Sequence, residues 1–124
     1  MYLNKESMTK YANVYQTFLN LAYAIDGLTE FPALTPDEKC LIRYLNNFWI
    51  KNQDVKVVEV IHSLDNSSPA TVFRNLKKLR AKGYVQLRVD ENDNRIKHIL
   101  PTKQTMSYFN ALGKVIIKSA KLST

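Results

Sequence analysis

The chain has 124 residues, of which 45% are hydrophobic and 23% are charged. This length and balance fit one globular domain with a buried core, and they argue against a disordered chain. No run approaches the roughly 18 consecutive apolar residues of a membrane span, and residues 1–6 lack the apolar core of a secretory signal. Because Cys40 is the only cysteine, no internal disulfide can form. We therefore expect a cytoplasmic protein in which Cys40 is buried and structural.

Positive charge is concentrated in one segment of the sequence. The formal net charge is +7. Residues 67–104 hold nine basic and three acidic side chains, a net +6, whereas the rest of the chain holds nine basic and eight acidic ones, a net +1. Clustered positive charge is typical of a nucleic-acid surface, with a merely solubilising face as the alternative.

Apolar spacing predicts two helices before this basic segment. Over about residues 8–25, apolar residues recur every three or four positions and also cover much of the remaining circumference. Such a helix needs burial on two sides, so we expect it in a dimer interface; the alternative is the central helix of a monomer. A second helix is expected from Pro36 to about residue 51, because Thr35, Pro36 and Glu38 form a capping-box pattern.

Two more helices, a hairpin and a last helix follow. A short helix is expected over about residues 57–64, although the β-branched run 55–58 also fits a strand. Ser68 and Pro69 mark the start of a helix over 69–82, which Gly83 ends. Residues 84–89 and 95–100 flank a polar tip and read as a β-hairpin. The last helix covers about residues 102–120 and is expected to fray from Lys118. Its apolar face is expected to consist of Met106, Phe109, Leu112 and Ile116.

This order of elements predicts a mainly α protein with a small β-hairpin wing. Residues 1–124 are expected to form a single winged-helix domain, with its helix-turn-helix at about 57–82 and its wing at about 84–100. The helices at about 8–25 and 102–120 are expected to dimerise. The candidate dimer residues are Tyr11, Tyr15, Phe18, Leu21, Phe109, Leu112 and Ile116.

The helix over 69–82 has the composition of a recognition helix. Val72, Leu76 and Leu79 share one side and are expected to anchor it to the core. On the other side, Arg74 can make paired hydrogen bonds to guanine, and Asn75 can make them to adenine. The remaining polar candidates for phosphates or base edges are Ser68, Thr71, Lys77, Lys78 and Lys82. Phe73 lies between the two sides, where it either packs or contacts a thymine methyl group.

The pattern resembles a known family. The residues that carry the likeness are Val60-Ile61, Ser68-Pro69-Ala70-Thr71-Val72, Leu76, Leu79, Lys82-Gly83-Tyr84-Val85 and Arg88. This segment resembles the helix-turn-helix of MarR/SlyA-type winged-helix transcriptional regulators. The wing adds Asp93-Asn94-Arg95, followed by Thr102 nine residues after Asp93. Pro101 and Thr105 depart from the family's pattern, which has Leu and Gly there.

The resemblance implies a role in double-stranded DNA binding. It implies that Arg95 reaches into the minor groove, oriented by the nearby acid, with Lys97 also at the DNA. It also implies a homodimer, and a small-molecule effector of unknown identity. A winged-helix module for protein interaction or nucleoprotein assembly, in replication or in a phage or plasmid function, is the alternative. We expect no enzyme activity, cofactor, metal or membrane partner, with His62 and His98 in structural roles.

Overall fold

The computed structural model describes residues 5–63 and 67–122, and within these it contains five helices and one antiparallel hairpin. The elements are α1 (Lys5–Asp26), α2 (Pro36–Trp49), α3 (Val57–Ser63), α4 (Pro69–Ala81), β1 (Val85–Val89), β2 (Lys97–Pro101) and α5 (Lys103–Leu122). The predicted mainly α fold with a hairpin wing is confirmed. The chain divides into two compact units, one of residues 34–106 and one of residues 1–33 and 107–124.

The unit of residues 34–106 is the winged helix-turn-helix. Helix α4 packs against α2, α3 and β1, and α3 also packs against β2. In the hairpin, Val85 pairs with Pro101 and Val89 with Lys97. The predicted anchors of α4 are confirmed as core residues. The buried hydrophobic side chains of this unit are Leu41, Ile42, Leu45, Val55, Val60, Val72, Leu76, Leu79, Tyr84, Val85 and Ile99.

Local signals set the ends of α2 and α4. The Thr35 hydroxyl accepts from the Glu38 backbone N–H at 3.2 Å, and the Glu38 carboxylate accepts from the Thr35 N–H at 2.8 Å, which completes the capping box. Gly83 has φ +84° directly after α4. The Tyr84 N–H donates to the Leu79 carbonyl at 2.9 Å, as in a Schellman ending.

The β-branched run at 55–58 is divided between strand and helix. The Val55 carbonyl accepts from the Ile99 N–H at 2.8 Å, and Lys56 forms a single antiparallel bridge with His98. Helix α3 begins at the next residue, Val57, as predicted. The residues before the helix therefore attach the wing strand to the helix-turn-helix. Leu64, which was expected to close α3, lies outside the described residues.

The second unit contains α1 and most of α5. The Tyr108 hydroxyl lies 3.0 Å from Asp26 Oδ1, and its ring contacts the ring of Phe31 edge-on at 5.5 Å between centres. Both helices are longer than predicted, since α1 begins at Lys5 and α5 continues past Lys118 to Leu122.

Two further expectations need correction. Cys40 is exposed, because the buried positions 38, 41, 42 and 45 give α2 an inner face that excludes it. In α5, the buried residues repeat at helical spacing, but they are Thr105, Tyr108, Val115 and Ser119. The two hydroxyls are tolerated there because Thr105 donates to the Tyr84 carbonyl and Ser119 to the Val115 carbonyl. No helix of the described part has the length and apolar character to cross a bilayer.

Candidate nucleic-acid interface

Three of the predicted DNA-binding residues form a hydrogen-bonded row along the exposed side of α4. Ser68 is the N-cap, and its hydroxyl accepts from the Thr71 backbone N–H at 3.2 Å. The Ser68 hydroxyl also donates to Thr71 Oγ1 at 2.9 Å, and Arg74 Nη2 donates to the same Oγ1 at 3.3 Å. The row is possible because residues at spacing three lie on one helical face. It pre-orients the Arg74 guanidinium at the surface.

The other predicted positions on α4 lie around this row. Asn75 is half-buried, whereas Lys77 and Lys78 are exposed. Phe73 is 46% exposed, and the Lys77 ammonium lies 5.5 Å from the centre of its ring. The aromatic ring therefore belongs to the surface of the helix rather than to its packed side.

The wing presents one arginine held by one acid. Arg95 Nε and Nη2 donate to the two carboxylate oxygens of Asp93, each at 3.0 Å, and the Arg95 backbone N–H donates to Asp93 Oδ1 at 3.0 Å. These bonds hold the pKa of Asp93 below its ordinary value and raise the pKa of Arg95. The Arg95 side chain is 86% exposed. Lys97, also exposed, begins β2.

Comparison with solved structures identifies the architecture. A mutant of MarR from E. coli complexed with operator DNA superposes with a TM-score of 0.55 at 15% identity, over 97% of this chain and 78% of that one. AbsC, a MarR family transcriptional regulator from Streptomyces coelicolor, gives 0.53 at 12% identity, over 99% and 81%. Wild-type MarR from E. coli in its apo form gives 0.51 at 16% identity, over 98% and 82%. The fold is that of the MarR-type winged-helix regulators. No protein-family model matches the sequence, and no curated protein does.

The departures from the MarR-type sequence pattern are accommodated within this fold. Pro101 is the last residue of β2, and its carbonyl accepts from the Gln86 side chain at 3.0 Å. The Thr102 hydroxyl accepts from the Thr105 N–H at 3.2 Å and donates to the Gly83 carbonyl at 2.6 Å, so Thr102 caps α5 as its position predicted.

The predicted dimer residues are exposed or half-buried. Tyr11 is 72% and Ile116 is 58% exposed, and Tyr15 is exposed as well. The half-buried members are Phe18, Leu21, Phe109 and Leu112. Met106 of α5 is exposed as well, and sequence reasoning missed further large apolar side chains that are exposed on the same two helices, namely Tyr23, Ile117 and Leu122.

A buried ion pair connects α2 to the end of α4. Glu38 is fully buried, and Lys82 Nζ lies 2.5 Å from its Oε1, while its Oε2 has no hydrogen-bond partner. Burial raises the pKa of Glu38, but the bond from Lys82 and the Thr35 N–H outweigh it and leave the pKa below 4.5. Lys82 was interpreted from the sequence as a phosphate contact; its ammonium is instead paired with Glu38.

A second cluster lies at the base of the wing. The two ring nitrogens of His98 face carboxylates, with Nδ1 at 2.7 Å from Asp54 Oδ1 and Nε2 at 2.8 Å from Asp90 Oδ1. Sequence reasoning gave His98 a structural role but named no partner, because Asp54 lies 44 positions away in the chain. Nothing in a local pattern indicates such a contact.

Proposed function

We propose that this chain is a sequence-specific double-stranded-DNA-binding transcriptional regulator. In this proposal α4 enters the major groove and the wing arginine enters the adjacent minor groove. The observation that carries it is the row of Ser68, Thr71 and Arg74, which lies on the outer side of a helix whose other side is fixed in the core.

The chemistry of α4 supports base reading. Its N-terminus offers the positive end of the helix dipole to a phosphate. Ala70 is small and exposed there, which permits close approach to the groove. Arg74 can then bond both acceptors of a guanine, and Lys77 and Lys78 can neutralise phosphates. Asn75, half-buried at the edge of this face, is the candidate for adenine.

The chemistry of the wing supports minor-groove contact. A narrow minor groove has an enhanced negative potential that attracts arginine. Because Asp93 holds the Arg95 guanidinium from its own turn, less side-chain entropy is lost when the arginine binds. Lys97, the first residue of β2, is the candidate for the flanking phosphate.

The second partner in this proposal is another copy of the chain. The exposed apolar side chains of α1 and α5 include Tyr11, Tyr15 and Ile116. Several large apolar side chains exposed on two helices are typical of an interface. A two-fold dimer would cover it on both copies and present two copies of α4 to one duplex. The E. coli MarR structure was solved with operator DNA, which supports assigning DNA binding to this fold.

Selection of bound duplexes from a random pool tests the function. We expect enrichment of one pseudo-palindromic motif, with half-sites about one helical turn, roughly 10 base pairs, apart. Binding without any enriched sequence would contradict the proposal and would favour a nucleoprotein-assembly module. The control is the Arg74→Ala variant, which is expected to enrich a motif that is degenerate at one position of each half-site.

A further inference from the structure

The hydrogen bonds of His98 require a charged ring. A neutral imidazole has one N–H donor and one acceptor nitrogen, whereas an ionised carboxylate only accepts. In this structure both ring nitrogens lie within 2.8 Å of a carboxylate oxygen, from Asp54 and from Asp90. Only the imidazolium satisfies both bonds at once. The ring itself is 9% exposed.

One of these two bonds leads to the tip of the wing. Asp90 Oδ1 accepts from the ring, while its Oδ2 accepts from the backbone N–H groups of Asn92 and Asp93 at 3.0 and 3.1 Å. Asp93 in turn holds the guanidinium of Arg95. His98 is therefore connected to Arg95 through two carboxylates: that of Asp90, which bonds the backbone of the turn, and that of Asp93, which bonds the guanidinium.

The other bond leads to the helix-turn-helix. Asp54 belongs to the loop between α2 and α3, and the next residue pairs with β2 through the Val55 carbonyl and the Ile99 N–H. The Trp49 indole N–H also donates to the Ile99 carbonyl, at 3.1 Å. The His98 ring thus lies where the wing is attached to the helix-turn-helix that contains α4.

The charged groups around the His98 ring act on its protonation in both directions, and the two carboxylates prevail. Two cations disfavour the charged ring: Arg88 lies directly across the hairpin from His98, and Lys56 is its bridge partner. Lys56 is itself 3.9 Å from the carboxylate of Glu59 on α3. The direct bonds that the ring donates to Asp90 and Asp54 outweigh burial and raise the pKa of His98, and the bond from His98 keeps the pKa of Asp90 low.

We infer that His98, as an imidazolium held between Asp54 and Asp90, is a positioning residue that orders the wing for minor-groove contact. The inference rests on the proposed function. Below the pKa of His98 in the folded protein, the ring keeps its bonds to both Asp54 and Asp90. As the pH rises through that pKa, the ring loses its proton and one of the two bonds is lost. Duplex affinity then falls because the turn that presents Arg95 is less ordered.

The test is duplex affinity of the full chain measured from about pH 6 to about pH 9, at constant salt, on the selected site. We expect wild-type affinity to fall about tenfold across the range, as for the loss of one good polar contact. The His98→Gln variant should be weak and independent of pH, whereas His62→Gln, which alters the exposed histidine, should keep the wild-type profile. Arg95→Ala should also flatten the profile.

A second variant separates positioning from folding. Asp54→Asn removes one carboxylate from the ring and should shift the midpoint of the profile to lower pH. A purely structural role would not move that midpoint. Glu91→Gln, which removes an exposed acid from the same wing, should leave the midpoint unchanged. The ring resonances of His98 and the amide resonances of Asn92 and Asp93, recorded without DNA, should change together over the same pH range.

The outcomes distinguish the two proposals. Affinity that stays constant with pH while the His98 ring titrates would overturn the positioning role alone. A ring that is neutral near pH 6 would overturn it as well. Absence of duplex binding at every pH would overturn the proposed function, and the positioning role with it, whatever the ring resonances show.

Discussion

At the scale of single residues, the side chains assigned to DNA differ in how firmly they are held. Arg74 and Arg95 are each bonded to a neighbour on their own element, whereas Lys78 is an exposed ammonium on a flexible stem. A guanidinium held in place can select a base edge through its paired donors, while a mobile ammonium acts as a point charge. Readout and positioning are therefore expected from different residues of the same helix.

Replacing Arg74 and Lys78 separates these two effects. Arg74→Ala is expected to cost about 1–3 kcal/mol on the selected site and to relax specificity at one base, because it removes a base contact. Lys78→Ala should weaken binding to all sequences about equally. The measurement is affinity for the selected duplex and for single-base variants of it. An equal loss on every duplex for both variants would rule out the assignment of Arg74 to bases.

Lys82 is expected to contribute to the stability of the fold rather than to recognition of the DNA sequence. Lys82→Ala leaves the Glu38 carboxylate buried without its cation, which should destabilise the fold by about 2–3 kcal/mol. In the wild type the pKa of Glu38 is lowered, so its ionised carboxylate stabilises the fold at pH values above its ordinary pKa of 4.5. This contribution is lost as the pH falls through the lowered pKa. In the variant only the Thr35 bonds still oppose the effect of burial, so the pKa of Glu38 should rise and the penalty should shrink on acidification.

Urea unfolding at about pH 7 and about pH 5, at one protein concentration, measures this difference. Lys78→Ala is the matched control, since it removes an exposed lysine from the same helix and should change stability by less than about 0.5 kcal/mol. A penalty that is the same at both pH values would show that the lost interaction is not the ion pair.

At the scale of elements, local sequence signals predicted where helices begin and end better than they predicted which side of a helix is buried. Thr35, Ser68 and Gly83 set boundaries through bonds within a few residues, which a sequence pattern records directly. The buried side of α5 was harder to predict, because it includes the polar residues Thr105 and Ser119. Their burial is possible because each hydroxyl donates to a backbone carbonyl. The long-range pairs of Glu38 and His98 join residues 44 positions apart, a distance at which no periodicity applies.

Two glycines give a matched test of the element boundaries. Gly83 has a positive φ, and an added Cβ would lie 3.1 Å from Gln104 Oε1, so Gly83→Ala should destabilise the protein by about 1 kcal/mol or more. Gly113 lies inside α5 with no atom within 4 Å of an added Cβ, so Gly113→Ala should stabilise it by about 0.5–1 kcal/mol. Thermal unfolding of both variants checks the signs, and stabilisation by Gly83→Ala would refute the αL ending of α4.

At the scale of the whole molecule, charge and apolar surface are unequally distributed. Residues 67–104 contribute +6 of the net +7, and they contain α4 and the wing. The exposed aromatic side chains of α1 lie in the other unit, as do Ile116, Ile117 and Leu122 of α5. We expect this division if one unit binds DNA and the other self-associates.

The charge distribution predicts binding that weakens steeply with salt. The logarithm of the association constant should fall linearly with the logarithm of salt concentration, with a slope near −0.9 for each phosphate contacted. Lys78→Ala should reduce that slope by about 1, because it removes a phosphate contact. Titrations of one duplex at several salt concentrations measure both, and affinity independent of salt would contradict a role for the basic segment.

The apolar surface predicts a homodimer. Light scattering at micromolar concentration should give about twice the 14.3 kDa chain mass, because α1 and α5 expose more large apolar side chains than a monomer usually leaves in water. Ile116→Lys should convert the dimer to a folded monomer with weakened duplex binding, since Ile116 is exposed in the single chain and its loss costs the fold little. Ile50→Lys, at an equally exposed isoleucine outside these helices, should leave the mass unchanged. A wild-type monomer that still binds its site tightly would refute the dimer and would assign recognition to one winged helix acting alone.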